Sequence, residues 1–273
     1  MPKIKQIGYM PAYGLNSGLG FTKEFPIKIS VSFDNVTFDP DADFKVLVQC
    51  EPPKLYVDFV RYVSETWKNF DIILTYDDRI LEYPNSKLFV PVGCWVDDIE
   101  IDKKDQITYL MSSKILSSEH RMRFMIMSRY QHKKHIGPFE FLMHRTPPRL
   151  PSKEPFLKNA KFQIVCENQV MTNMFTEKLI DCFRTKTVPI YYGCTNIEKF
   201  FNPRGIIQFN KIEELEQILN SLQPKQYDEM LPHITENYMR ASSYWEKNVF
   251  ERIEDEVTGF LQSFAIEQTI LYD

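Results

Sequence analysis

The chain has 273 residues and a mass of 32.4 kDa, with 43% hydrophobic and 26% charged residues, a composition that excludes a disordered, collagen-like or coiled-coil protein. Its formal charge of -4 and pI near 5.8 argue, as bulk properties, against a dedicated nucleic-acid binder. No apolar run reaches the ~18 residues that would predict a membrane span.

Short strand-like runs alternate with amphipathic helical stretches, the pattern of βαβ units around parallel sheets. Residues 4–10, 27–33 and 44–50 read as strands, 54–67 as a helix, and 71–75 and 87–92 as further strands. Residues 97–106 are polar and crowded with charge, and read as a linker. A second series follows, with a strand at 107–111, a helix at 119–129, a strand at 162–166, a helix at 177–184, and strands at 188–192 and 206–209. The proline-rich stretch 147–155 reads as a loop, because proline continues neither a helix nor a central strand. From residue 211 the pattern is helical and closes on a long helix over 244–266. The expected fold is α/β, with two Rossmann-like βαβ domains facing a central cleft and a helical C-terminal tail. Their bounds are 1–106, 107–243 and 244–273.

Charge is distributed unevenly along these segments. Between Ile107 and Asn210 there are 16 Lys and Arg against seven Asp and Glu, so the rest of the chain carries a balance of -13. A basic middle between acidic ends suits an anionic ligand bound centrally; a solvated basic face would give the same count. The five cysteines are odd in number and show neither a C-x-x-C pair nor metal-ligand spacing, which predicts reduced thiols and no metal site. His132 and His135, with Lys133 and Lys134 between them, read as a solvated basic turn. The N-terminus meets Pro11 before any signal-peptide apolar core. Gly8, Gly14, Gly18 and Gly20 fall in one early loop whose spacing matches neither a dinucleotide fingerprint nor a P-loop, so it reads as a mobile loop beside the cleft.

The chemistry is concentrated in residues 161–210. A buried strand ends in the polar pair Glu167 and Asn168, a loop follows, and Thr176 then opens a helix as its N-cap. Glu177 and Lys178 occupy the first turn, where unpaired amides and the helix dipole favour an anion and Lys178 adds a full positive charge. At the carboxyl end of a parallel strand this arrangement suits a diphosphate.

Residues 162–168, 175–179 and 188–193 carry, in order and at comparable spacing, the patterns F-x-x-x-x-E-N, T-E-K and V-P-I-x-x-G. With them the chain strongly resembles the fucosyltransferases of glycosyltransferase family ten, the α-1,3/1,4 group. Weaker echoes extend the resemblance to roughly residues 44–209. In residues 118–124 an arginine opens the first helix of the family's nucleotide domain; Arg121 is the better match by its spacing to Phe124, and Arg123 is the alternative. Residues 49–53 resemble a Glu-Ser-Pro element of the acceptor domain, and 89–93 a Phe-Val-Pro-x-Gly element.

The resemblance implies a GT-B fold and the activity of an inverting α-1,3-fucosyltransferase, moving fucose from GDP-fucose to a carbohydrate hydroxyl, with no obligatory metal or cofactor. Residues 1–106 would bind the acceptor and 107–243 the GDP-sugar. Lys178 and Arg121 would contact the diphosphate, Glu177 the ribose or sugar, and Asn168 would help hold the donor. Tyr192 could border the nucleotide, and Glu51 would be the general base, although before two prolines it also reads as a solvated strand-end charge. Inversion needs one carboxylate to take the acceptor's proton, and the departing GDP needs fixed positive charge. Met174 stands where the family commonly has tyrosine, which removes a hydroxyl from the donor pocket and leaves another GDP-sugar open. The competing readings are a transferase for a different nucleotide sugar and a non-catalytic polyanion-binding module. Partners would be donor and acceptor, without nucleic acid, and the expected setting is the cytoplasm, as for a bacterial or viral enzyme without a membrane anchor.

Overall fold

The computed structural model describes residues 4–7, 20–54, 58–113, 120–146 and 152–272, with the side chains of the last helix described as far as residue 263. The glycine loop before Gly20, Ser118 and Glu119, and residues 147–151 of the proline-rich stretch lie outside the described residues.

The first sheet has the strand order β1 (Lys5–Ile7), β2 (Ile29–Phe33), β3 (Phe44–Val48), β4 (Ile72–Thr75) and β5 (Ser86–Leu88), and every pairing is parallel. Between β3 and β4 lies helix α1 (Phe59–Thr66). Strand β2 is buried at all five positions, the mark of a parallel sheet covered on both faces. On one face Leu47 and Ile73 pack with Phe59 and Val63 of α1. The other face is covered from the far end of the chain, as described below.

The second sheet is built from β6 (Lys104–Ser112), helix α2 (His120–Tyr130), β7 (His135–Ile136), β8 (Phe139–Thr146), helix α3 (Glu154–Leu157), β9 (Ala160–Cys166), helix α4 (Glu177–Arg184), β10 (Val188–Tyr192) and β11 (Ile207–Gln208). Its spatial order is β11-β10-β9-β6-β8-β7, parallel except for the β7–β8 hairpin. After β6 the chain adds β8 on one side and then returns to place β9 on the other. Strand order therefore reverses at the border between β6 and β9, and in open α/β sheets ligands bind at the carboxyl ends of such a border.

Helices α5 (Ile212–Ser221), α6 (Pro224–Ala241), α7 (Ser243–Glu246) and α8 (Val249–Tyr272) complete the chain. Val249, Phe250, Ile253 and Val257 of α8 join Val31, Phe33, Val46 and Val48 in one core, so the last helix covers the open face of the first sheet. Buried Glu254 fixes it there, accepting from the amides of Thr22 at 2.5 Å and Lys23 at 2.8 Å.

Several boundaries differ from those expected. Strand β6 begins at Lys104, inside the segment read as linker. The preceding Lys103 ammonium donates to the carbonyls of Leu157 and Ala160, both at 2.8 Å, and burial pushes its pKa down to about 7. The proline-rich stretch runs into the short helix α3, with a proline in its first turn, where the missing N–H costs nothing. The His132–His135 turn leads into a hairpin: His135 pairs with Glu140 and Ile136 with Phe139, and Gly137 supplies the left-handed φ of 53° at the turn. The long helix expected over 244–266 is broken before Val249. There Asn248 Oδ1 accepts from the amides of Phe250 and Glu251 while Glu251 reaches back to the Asn248 amide at 2.8 Å, a capping box that starts α8 afresh.

Candidate active site

The connections that leave the carboxyl ends of the two sheets touch one another. The amide of Lys54, after β3, donates to Gln169 Oε1 at 3.1 Å. Asn173 Nδ2 donates to Asp78 Oδ1 at 2.7 Å and to the Tyr76 carbonyl at 3.3 Å, both after β4. Glu51 follows β3 and Asn168 follows β9, so candidate residues from both halves sit on these meeting edges.

At the β6/β9 border, Arg123 of α2 is 3% exposed, and its Nη2 donates to the Cys166 carbonyl at 3.0 Å and to Asn168 Oδ1. The carbonyl of Arg123 in turn accepts from the Tyr109 hydroxyl of β6 at 3.3 Å. Arg121 is exposed and lines a groove of about 750 Å³ between α2 and α5 with Phe124, Met125 and Ile212. Arg121, the expected better match, and Arg123, its alternative, therefore face apart: residues two apart on a helix point in nearly opposite directions, and Arg123 is the one turned toward Asn168.

The turn that opens α4 is organised by Glu167, which is fully buried. Its carboxylate accepts from the Thr176 amide at 2.9 Å and the Thr176 hydroxyl at 2.6 Å. The Lys178 ammonium donates to Thr176 Oγ1 at 3.0 Å and lies 3.3 Å from Glu177 and 3.7 Å from Glu167. Burial alone would push the Glu177 carboxyl up, but Lys178 and then Lys153 outweigh it and hold its pKa down to about 2. Glu167 therefore shapes the turn, while Glu177 stays charged beside two cations.

No local signal in the sequence marks Lys153. Its ammonium pairs with Asp181 at 2.6 Å and Glu177 at 3.6 Å and lies 4.5 Å from the centre of the Trp95 ring. Asp181 also accepts from the Trp95 amide at 2.6 Å, which ties the segment between the sheets to the face of α4. Lys153 comes from the proline-rich stretch, and only tertiary packing brings it to Glu177.

Gly193 is required for space. A Cβ there would lie 2.5 Å from Glu167 Cγ and 2.5 Å from the Tyr191 hydroxyl. Tyr192 lies beside this turn: its carbonyl accepts from the Glu167 amide at 2.9 Å, and its ring stacks on Phe209. Met174 is 3% exposed and packs in the core of the second sheet.

Across the cleft, Glu51 is half-buried, and its amide donates to both carboxylate oxygens of Asp34, at 3.2 and 3.1 Å. The two prolines that follow it are buried, so the segment is packed against the protein.

Among the described residues no group of three or more His, Cys, Asp or Glu could hold a metal ion, and no helix is long and apolar enough to cross a membrane. All five cysteines are free. A further cavity of about 560 Å³, lined by Phe89, Tyr244 and Arg252 among others, contains none of the candidate residues.

The model of glycosyltransferase family 10 (fucosyltransferase), C-terminal part, matches residues 101–255. The α-(1,3)-fucosyltransferase FucT of Helicobacter pylori is 26% identical over 128 residues, which span 45% of this chain and 26% of that protein. An α-(1,4)-fucosyltransferase of Arabidopsis thaliana is 29% identical over 62 residues, 23% of this chain and 16% of that protein. The match therefore spans about a quarter or less of either curated relative's length. Among solved structures, TarM covers 85% of this chain and 54% of its own at a TM-score of 0.51 and 10% identity, a likeness of fold alone. An α1,3-fucosyltransferase solved with GDP-fucose covers 74% of this chain and 68% of its own at a TM-score of 0.47 and 15% identity. The fold is α/β of the GT-B type, with two largely parallel sheets.

Proposed function

The chain belongs to glycosyltransferase family 10, the fucosyltransferase family, and from that premise we propose that it transfers fucose from GDP-fucose to a carbohydrate hydroxyl with inversion. The observation that carries this reading is the convergence of Arg123 and Asn168 at the β6/β9 border, beside the Lys178 turn at the start of α4. The second sheet holds the donor. Lys178 and Arg123 offset the diphosphate charge, Asn168 and Glu177 orient ribose and sugar, and Tyr192 borders the nucleotide. The first sheet presents the acceptor to Glu51.

In the transfer, the acceptor oxygen attacks the anomeric carbon and gives its proton to the Glu51 carboxylate. The bond from that carbon to the β-phosphate oxygen breaks, and GDP leaves with the electron pair. Fixed cations at the leaving diphosphate stabilise the charge that develops there, so no protonating acid is needed.

A thermal-shift panel tests the donor. GDP and GDP-fucose should raise Tm well above the effect of UDP, CMP and their sugars. Equal stabilisation by any polyanion, lost steeply with salt, would replace this reading with a non-catalytic anion-binding module.

A further inference from the structure

Asp34 stands immediately after β2, on the edge where Glu51 leaves the neighbouring strand β3. Its backbone is left-handed, with φ of 47°, a conformation a non-glycine residue adopts only when its surroundings enforce it. Its amide donates to the Val48 carbonyl at 3.0 Å. Its Oδ1 then accepts from the Cys50 amide at 2.7 Å and the Glu51 amide at 3.2 Å, with Oδ2 also 3.1 Å from the Glu51 amide. From the other side, the buried Tyr76 hydroxyl donates to the Cys50 carbonyl at 3.1 Å. One peptide of the turn is thus held at both ends.

We propose that Asp34 is a positioning residue for transfer, whose carboxylate sets the direction in which Glu51 leaves β3 and enters the cleft. This rests on the reading of Glu51 as general base. Among the described residues, the titratable groups facing Asp34 are the Glu51 carboxylate, the Cys50 thiol and the Tyr76 phenol. Burial raises the Asp34 pKa from 3.8 to about 7, only partly opposed by the two amides, and Glu51 pushes it further up. The folded chain therefore binds this proton more tightly than the unfolded chain. The contribution of Asp34 to stability falls as pH rises from about 4 to about 7, and its charge is a standing cost above that.

The test uses the full chain and GDP release from GDP-fucose with water as acceptor, which requires no knowledge of the natural acceptor. Glu51→Gln should lose at least about a hundredfold in turnover, the scale of a general base. Asp34→Asn should lose at least tenfold in kcat, with KM for GDP-fucose and Kd for GDP within twofold of wild type. Its Tm at pH 8 should equal or exceed that of wild type, and the acid limb of kcat near pH 7 should disappear. Asp34→Glu, which keeps the charge but displaces it, should recover less than a tenth of the activity. Wild-type turnover and pH profile in Asp34→Asn, beside an inactive Glu51→Gln, would overturn the role of Asp34 alone. A parallel fall of Tm and GDP affinity in Asp34→Asn would make the residue merely structural and also overturn it. An active Glu51→Gln, or a wild-type chain with no GDP release, would overturn the base reading and this inference together.

Discussion

Arg123 Nη2 donates to the backbone of Cys166 and to the side chain of Asn168, so a helix that follows β6 closes over the end of β9 at the point where strand order reverses. A buried guanidinium bound to the strand end cannot swing away as an exposed lysine can, and its planar fork suits the oxygens of a diphosphate. On the proposed function, a cation fixed before the donor arrives would lower the reorganisation needed when the diphosphate departs.

Lys178→Ala should weaken GDP binding at least tenfold by calorimetry, and it should also move acid unfolding. In the wild type the depressed Glu177 pKa contributes on the order of 3 kcal/mol above the unfolded carboxyl value of 4.5, lost as pH falls toward about 2. Without Lys178, Lys153 is the cation that the described residues leave beside that carboxylate, so stability should begin to fall at a higher pH. Unchanged GDP affinity would remove Lys178 from the donor site, and an unchanged acid transition would remove it as the partner of Glu177.

Gly193→Ala should cost about 1 to 3 kcal/mol, the usual penalty of overpacking, because its Cβ would meet Glu167 and Tyr191 at 2.5 Å. Denaturant melts check the loss. The Glu167 contacts that hold the Thr176 turn would shift with it, so GDP affinity should fall in the same variant. Wild-type stability would mean that Tyr191 and Glu167 have room to yield.

Local signals make much of the turn that opens α4 legible. The N-cap Thr176, the buried strand before Glu167 and the small residue at position 193 are properties of neighbours in the chain. Which of Arg121 and Arg123 faces the strand ends is not legible in the sequence, because two positions on one helix differ by about 200° and only the packing of α2 against β6 and β9 orients them. Lys153 and Asp34 were missed for a related reason: each reaches its site across the fold, one from a proline-rich stretch and the other from an adjacent strand. Two other signals were present but outweighed. Gly137-Pro138 between apolar residues marked the β7–β8 turn beneath a run of basic residues, and Asn248 with Glu251 formed a capping box inside a continuous helical pattern.

On the proposed function, the donor diphosphate binds at the β6/β9 border, with Arg123 as its fixed cation. Paired calorimetric titrations of GDP into Arg123→Gln and Arg121→Gln, each checked for folding by thermal melt, test it most directly. Kd should rise at least tenfold for Arg123→Gln and stay within twofold of wild type for Arg121→Gln. The reverse pattern, with Arg121→Gln impaired and Arg123→Gln unaffected, would contradict it.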